Sequence, residues 1–185
     1  MSQWTIVVPV KGTPAAKSRL GASPALAEAI ALDTVEAALA VAPVIVVTPV
    51  AAPFEALGAT VIADPGGGLA AAIDAGIAAA HGHIAVLLGD LPALHPEELR
   101  VALDAAAAHA RAFVPDSEGA GTALITSTTD HAAAFGDGSA QRHREAGYVE
   151  LEVDPQSGLR SDVDTLEHLA ALVGRLGKRT TAQLP

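Results

Sequence analysis

Cations follow the first apolar stretch of the sequence. Lys11, Lys17 and Arg19 lie within nine residues of one another, directly after the β-branched run at residues 4–10. Ligands of open α/β sheets gather beyond the carboxyl ends of the strands, and the chain as a whole is acidic, so clustered cations need a local explanation. The spacing predicts a loop that binds a small anion such as phosphate, although a solvated turn would carry the same residues.

Carboxylates stand at two places where they could bind a metal ion. Asp90 follows the apolar run at residues 84–88, while Asp162 and Asp164 share one side of the chain if their segment is extended. Mg²⁺ prefers a few carboxylates together with substrate phosphates, so the two places could hold one or two ions if the fold joins them. Each also has a structural alternative: Asp90 could cap a turn, and Asp164 could cap the last helix with Glu167 completing the cap.

A run of glycines precedes the second predicted helix. Gly66, Gly67 and Gly68 follow Asp64, and such permissive residues let backbone N–H groups approach a nucleotide near the positive end of a helix. The run has neither the G-x-G-x-x-G spacing nor the Lys-Ser/Thr pair of a Walker loop. Taken alone, it is better explained as a plain turn.

Two later loops, at residues 115–122 and 135–143, combine small residues with hydroxyl groups. Thr122, Ser139 and nearby backbone amides could bind carboxylate or phosphate oxygens, and a helix predicted to begin near Ser139 would add its dipole. Surface turns and helix caps are the alternatives. The seven histidines lack the spacing of zinc ligands, and the chain has neither cysteine nor a G-x-S-x-G elbow, so zinc and covalent acyl chemistry are not favoured.

Alternating strands and helices must position these residues. Strands are predicted at residues 4–10, 43–48, 59–63, 83–89, 111–114, 122–126 and 148–153. Helices are predicted at residues 24–40, after the N-cap Ser23, at 69–80, from Pro96, from about Ser139 and at 165–176. This alternation predicts an α/β fold with three αβα layers and a mainly parallel mixed sheet, to which the later strands add antiparallel pairs. Residues 178–185 are expected to form a mobile tail.

Composition limits the classes of function. The length of 185 residues and the hydrophobic fraction of 50% suit one domain spanning residues 1–185. A net charge of −10 with 3% aromatic residues argues against a nucleic-acid partner. No apolar run is long enough to span a membrane or form a signal peptide, so we expect a cytoplasmic protein without a membrane partner. Because the chain is this apolar, its composition is also compatible with a homodimer.

Taken together, the motifs resemble the 2-phospho-L-lactate/phosphoenolpyruvate guanylyltransferases of coenzyme F-420 biosynthesis. These are nucleotidyltransferases with the glycosyltransferase-A-like fold of nucleotide-diphospho-sugar transferases. The resemblance spans nearly the full chain and is carried by Pro9-Val10-Lys11, residues 16–20, Asp64-Pro65-Gly66, Gly89-Asp90-Leu91-Pro92, Gly121-Thr122, Phe135-Gly136 with Ser139 and His143, and Asp162-Val163-Asp164. One departure is Ala70, where similar proteins often carry Asn.

The resemblance implies a role for each motif. Mg²⁺ would be the cofactor, held by Asp90, Asp162 and Asp164. A three-carbon phospho-acid would contact Lys11, Thr122, Gly136 and Ser139. GTP would be bound by Lys17, Arg19, Asp64, Gly66, Gly67 and Gly68. Catalysis would rest on Lys17, Arg19 and Asp90.

The implied reaction moves GMP from GTP to the phosphate of phosphoenolpyruvate or 2-phospho-L-lactate and releases pyrophosphate. It needs no protein nucleophile, because the attacking phosphate is already deprotonated at neutral pH. Two alternatives stay open: a related enzyme that guanylylates the molybdenum cofactor or cytidylylates a sugar-like phosphate, and a non-catalytic nucleotide-binding domain. The loop after the first strand reads Pro-Val-Lys-Gly-Thr-Pro rather than Gly-Gly-containing, which favours the small-acid enzymes.

Overall fold

The chain folds around one mixed β-sheet of seven strands in a computed structural model that describes residues 4–11, 23–131, 135–136 and 138–184. The strands are β1 (Trp4–Pro9), β2 (Val44–Val47), β3 (Thr60–Ile62), β4 (His83–Leu87), β5 (Arg111–Pro115), β6 (Thr122–Ser127) and β7 (Val149–Glu150). Their order across the sheet is β3-β2-β1-β4-β6-β5-β7. Among these strands β6 alone runs antiparallel to its neighbours, which brings its first residue to the edge where β1 and β4 end.

Helices cover both faces of the sheet. They are α1 (Pro24–Leu39), α2 (Ala52–Glu55), α3 (Leu69–Ala79), α4 (Pro96–Ala106), α5 (Ser139–Glu145), α6 (Leu166–Ala171) and α7 (Lys178–Thr181), with a short 3-10 helix at Gly158–Arg160. Along β1, Ile6 and Val8 pack with α1 and α4 on one face, while Val7 packs with α3 and α5 on the other. The predicted three-layer αβα architecture is therefore confirmed. No helix in the described ranges is long and apolar enough to cross a bilayer.

Local chemistry explains where the main helices begin. The Ser23 hydroxyl accepts the Leu26 N–H at 3.2 Å, and Pro24 occupies the first helical position of α1, as predicted. His95 and Glu98 form a reciprocal capping box at the start of α4. Such caps satisfy backbone donors that the helix itself leaves unpaired, so the positions of α1 and α4 are set by their own sequences.

The C-terminal segment differs from the sequence-based expectation. The predicted helix at residues 165–176 ends at Ala171, and Gly174 turns the chain further on with a φ of +89°. The expected mobile tail is wrong for residues 178–184, where α7 docks on α1. Asp33 accepts the Thr180 N–H at 2.7 Å, and Arg179 Nη1 lies 2.8 Å from a Glu36 carboxylate oxygen. The polar contacts of α7 hold it in place, and hydropathy periodicity does not reveal them.

Candidate active site

Two loops and a strand start meet at one edge of the sheet. Lys11 lies just beyond β1, Asp90 follows β4, and Thr122 begins β6. Parallel strands bring their carboxyl ends together, and the antiparallel β6 brings its amino end to the same edge. The residues that the sequence singled out in three distant stretches therefore share one surface.

A backbone hydrogen bond joins the two carboxylate motifs. The Val163 N–H donates to the Asp90 carbonyl at 3.0 Å, and the Val163 side chain is fully buried in the core beside α1. Asp162 and Asp164 flank this anchor, and both line the same cavity as Asp90. The structure thus brings together all three carboxylates predicted to bind metal.

The structure decides one of the structural alternatives for these carboxylates, the cap by Asp164. The cap of α6 is Thr165, whose hydroxyl accepts the His168 N–H at 3.1 Å, so the sequence-based alternative that Asp164 caps this helix is wrong. The turn after Asp90 is held by the Thr34 hydroxyl, which accepts the Leu91 N–H at 3.1 Å. Asp90 and Asp164 both line the cavity.

Negative charge accumulates in this cavity. Burial, and after it the nearby carboxylates of Asp90, Asp116 and Asp164, raises the pKa of Asp162 to about 6. The described residues that line the cavity include no lysine or arginine. A divalent cation would relieve this repulsion, and carboxylate oxygens are ligands that suit Mg²⁺.

The carboxylates do not form a complete metal cage by themselves. Within the described part of the chain, no three His, Cys, Asp or Glu side chains are placed to hold an ion unaided. Mg²⁺ sites in enzymes of phosphate chemistry commonly combine one or two carboxylates with water and substrate phosphates. The donor set fits that kind of site, in which the nucleotide completes the coordination.

Hydroxyl groups form the opposite wall of the same cavity, which has a volume of about 430 Å³. The Ser139 hydroxyl donates to Thr122 Oγ1 at 3.0 Å, and Thr122 Oγ1 lies 2.9 Å from Nδ1 of His143. Gly136 lines the cavity between Phe135 and α5. Three of the four residues predicted to bind the acid therefore lie together, whereas the fourth, Lys11, lines a neighbouring cavity.

That neighbouring cavity is smaller, about 230 Å³, and opens where β1 ends. Lys11 is its one cationic lining residue among those described. The two cavities share Leu69, Leu88, Asp90 and Asp164, so carboxylates lie at their junction. A ligand in either cavity would approach the same two carboxylates.

The glycine run behaves as a turn. The Gly66 N–H donates to Asp64 Oδ1 at 2.9 Å, and Gly66, Gly67 and Gly68 all have positive φ. None of these residues lines either cavity, and their contact with a nucleotide stays a prediction. Lys17 and Arg19, predicted to bind triphosphate, lie outside the described residues.

Sequence reasoning missed residues that organise the loops around the larger cavity. The Asp116 carboxylate accepts the Ala120 and Gly121 N–H groups at 3.1 and 2.7 Å and closes the β5–β6 loop. The Arg160 guanidinium donates to the Asp116 carbonyl at 2.9 and 3.2 Å and ties that loop to the segment before Asp162. The partners of Arg160 lie far away in the sequence, so only the position of Asp116 in a turn-rich loop was a usable signal.

Comparison with known proteins identifies this mixed sheet, with carboxylates between two cavities, as a nucleotidyltransferase domain. Residues 18–154 match the family model of the MobA-like NTP transferase domain. The chain is 48% identical to the phosphoenolpyruvate guanylyltransferase of Streptomyces coelicolor, with 97% of this chain and 95% of that protein covered. It is 46% identical to the enzyme of the same name from Geodermatophilus obscurus, over 98% and 94% of the two chains. The chain belongs to the phosphoenolpyruvate guanylyltransferase family, which confirms the resemblance inferred from the motifs.

Solved structures agree on the fold. The Mycobacterium tuberculosis protein Rv0371c superposes with a TM-score of 0.68 at 25% identity and covers 94% of this chain and 98% of its own. The 2-C-methyl-D-erythritol 4-phosphate cytidylyltransferase of Thermus thermophilus reaches a TM-score of 0.60 at 18% identity, covering 96% and 97%. A manganese complex of Rv0371c is also similar, with a TM-score of 0.64 at 24% identity over 94% and 98%. The predicted nucleotide-diphospho-sugar transferase-like fold is confirmed.

Proposed function

We propose that this protein transfers GMP from GTP to the phosphate of phosphoenolpyruvate and releases pyrophosphate. A phosphate oxygen of the acid forms a bond to the α-phosphorus of GTP. The bond between that phosphorus and the oxygen bridging to the β-phosphate breaks, and pyrophosphate leaves with the electron pair. The names of relatives at 45–48% identity support this choice of nucleotide and acceptor.

One observation carries the proposal: Asp90 and Asp164 line both cavities. Two anionic substrates must meet at one point for a phosphate to attack another phosphate, and charge neutralisation at that point is the main requirement. A pair of cavities that share carboxylates provides such a meeting point when a cation is bound. A single pocket lined by the same residues would not separate donor from acceptor.

We assign the triphosphate of GTP to the smaller cavity and the acid to the larger one. Lys11 supplies positive charge beside the smaller cavity, and the Lys17 and Arg19 side chains are proposed to join it. Thr122, Ser139 and Gly136 orient the acid by hydrogen bonding, since hydroxyl and backbone groups recognise carboxylate and phosphate oxygens by geometry. The protein's own groups therefore position both reactants in line.

Asp90, Asp162 and Asp164 are proposed to hold a divalent cation, with Mg²⁺ as the ion of choice. When bound, the cation would neutralise the phosphates and stabilise charge on the leaving pyrophosphate. The manganese bound by a structural neighbour supports a divalent ion, and the all-oxygen donor set suits Mg²⁺. Burial, and after it the like charges, raises the pKa of Asp162 to about 6, and a bound cation would lower it again.

The product would enter coenzyme F-420 biosynthesis, as the family resemblance implies. Phosphoenolpyruvate is preferred over 2-phospho-L-lactate because the similar curated proteins carry its name. Guanylylation of the molybdenum cofactor is the second candidate and is less well supported, since full-length relatives carry a different name. The cytoplasm remains the proposed location, because phosphorylated substrates do not cross bilayers unaided, and the homodimer remains a prediction.

The test is a matrix of nucleotides and acids. The protein is incubated with Mg²⁺, each of GTP, ATP, CTP and UTP, and each of phosphoenolpyruvate, 2-phospho-L-lactate and 3-phosphoglycerate, while pyrophosphate release is followed. We expect the fastest release with GTP and phosphoenolpyruvate, a product mass equal to the acid plus GMP, and no release in EDTA. Absence of release with GTP and every acid would overturn the proposed function.

A further inference from the structure

His143 is a buried histidine that contacts Thr122, one of the two hydroxyl residues of the larger cavity (Thr122 and Ser139, here called the acceptor wall), from the side facing away from the cavity. Its side chain is 0% exposed and does not line the larger cavity, yet Nδ1 lies 2.9 Å from Thr122 Oγ1. Ser139 in turn donates to the same Thr122 oxygen at 3.0 Å. Thr122 is thus the middle member of a chain of three polar side chains, of which only the two hydroxyl residues reach the cavity.

The surroundings of His143 fix the position of its ring. The rings of Phe113, Phe135 and Tyr148 lie with centroids 5.8, 5.5 and 5.2 Å from the imidazole centroid. The His143 carbonyl also accepts the Tyr148 N–H at 3.0 Å. Burial lowers the pKa of His143 to about 4, so the ring is neutral at physiological pH. The ring is therefore neutral and fixed in position, and it can keep the same hydrogen bond to Thr122 throughout the neutral pH range.

A buried hydroxyl that loses its partner either rotates or stays unsatisfied. With His143 in place, Thr122 Oγ1 has a fixed rotamer, and Ser139 has a fixed oxygen to bond. Without the imidazole nitrogen, both hydroxyls at the acceptor wall would be free to turn away from the acid. The nucleotide cavity shares neither hydroxyl, so it would be unaffected.

We propose that His143 is a positioning residue for the acceptor acid: Nδ1–H of its neutral ring donates to Thr122 Oγ1, which also accepts the Ser139 hydroxyl, and these two bonds direct the Thr122 O–H toward phosphoenolpyruvate. This inference rests on the proposed function. It predicts an effect that is confined to one substrate, which a purely structural role of a buried histidine would not produce.

Three substitutions separate the hydrogen bond from the volume of the ring. In asparagine the amide atoms branch from Cγ, as Nδ1 does, so His143→Asn keeps a polar atom facing Thr122. His143→Gln moves the amide to the far side of the ring position, and His143→Leu removes polarity. We expect the leucine and glutamine variants to raise KM for phosphoenolpyruvate about tenfold or more, as for loss of a buried hydrogen bond. KM for GTP should stay within about twofold, and the asparagine variant should recover most of the loss.

Two comparisons decide the outcome. Leu103→Ala, in the core of α4 away from the cavity, provides a variant destabilised without loss of a polar contact. Thr122→Val combined with His143→Leu should cost little more than Thr122→Val alone, because His143 acts on the acid through Thr122. If active protein shows equal changes in both KM values, or if Leu103→Ala reproduces the acceptor defect, the positioning role is wrong. Inactive wild-type protein would instead overturn the proposed function, and the positioning role with it.

Discussion

The two halves of the site are built on different principles. On the acceptor side, Thr122, Ser139 and His143 are 3%, 1% and 0% exposed and hydrogen-bonded to one another. On the carboxylate side, burial and then the nearby carboxylates raise the pKa of Asp162 to about 6. The hydroxyl groups of the acceptor side are hydrogen-bonded before any ligand arrives, whereas the repulsion between the carboxylates would be relieved by the cation of the proposed function. In the proposed function, the small acid would therefore meet a preformed surface, while the nucleotide would bind beside carboxylates whose repulsion the cation neutralises.

This difference separates stability from activity. Groups that are internally hydrogen-bonded contribute to folding, so their loss costs both stability and substrate affinity. Groups held in mutual repulsion oppose folding, so their neutralisation stabilises the protein while it removes function. Substitutions on the two sides should consequently move stability in opposite directions.

The largest effect is expected from Asp90→Asn. The amide preserves the shape of the side chain but removes a charge at the junction of the two cavities, so turnover should fall about 1000-fold, equivalent to several kcal/mol of activation barrier. The free energy of unfolding should stay unchanged or rise, because Asp162 loses a repulsive neighbour. Steady-state pyrophosphate release and urea denaturation measure the two quantities.

Asp104→Asn supplies a matched control, since Asp104 is exposed on α4 and lines neither cavity. It should leave turnover unchanged. A rate near wild type for Asp90→Asn would contradict the metal assignment, whereas a loss of more than about 1 kcal/mol of stability would contradict the electrostatic account of this side.

Sequence patterns located the elements and the carboxylates because both depend on local signals. The β-branched run of β1 and the apolar run before Asp90 each predict a buried strand, and a carboxylate just after such a strand lies at the ligand edge of the sheet. Asp162 and Asp164 were placed on one side by alternation alone. The family resemblance then joined motifs that no local rule connects.

What the sequence could not predict depends on contacts between distant residues. His143 and Thr122 are hydrogen-bonded but lie 21 residues apart in the sequence, and Arg160 lies 44 residues from Asp116, whose carbonyl it binds. The cap of α6 at Thr165 instead of Asp164 reflects a choice between two adjacent capping residues, which sequence preference does not resolve. Each of these depends on the completed fold, and two of them lie around the acceptor cavity.

A glycine comparison tests whether the acceptor side is the preformed one. A Cβ at Gly121 would overlap the Asp116 carboxylate that closes the β5–β6 loop, so Gly121→Ala should cost about 1–3 kcal/mol of stability and raise KM for the acid. At Gly66 no atom lies within 4 Å of an added Cβ, and only its φ of +78° opposes substitution. Gly66→Ala should cost about 1 kcal/mol and leave KM for the acid unchanged.

Thermal or urea unfolding and steady-state kinetics on both variants give the comparison. If both substitutions changed KM for the acid equally, the β5–β6 loop would contribute no more to acid binding than the glycine turn at residues 66–68 does. If Gly121→Ala left KM for the acid unchanged, the β5–β6 loop would accommodate the added methyl group without disturbing the acid site, and the acceptor side would not be a preformed surface.

The smallest expected effect is a pH dependence of opposite sign on the two sides, measured in EDTA. The pKa of Asp162 is raised to about 6, so its ionisation opposes folding as pH rises from about 4 to 6. Asp162→Asn should therefore stabilise the protein at pH 7 by about 1–2 kcal/mol, after allowance for solvent screening, and this gain should fall to about a third near pH 4.5.

His143 behaves in the reverse sense. Its pKa is lowered to about 4, so the unfolded chain takes up a proton that the folded protein refuses, and stability falls as pH drops from about 6.5 to 4. His143→Asn removes this penalty, so its stability relative to wild type should improve toward acid pH, while that of Asp162→Asn declines. Urea unfolding of the three proteins at pH 7 and 4.5 tests both signs at once. If the stabilities of both variants relative to wild type changed in the same direction between pH 7 and 4.5, a common change in the denatured state would explain both. The carboxylate and acceptor sides would then not differ in the sign of their electrostatic contribution to stability.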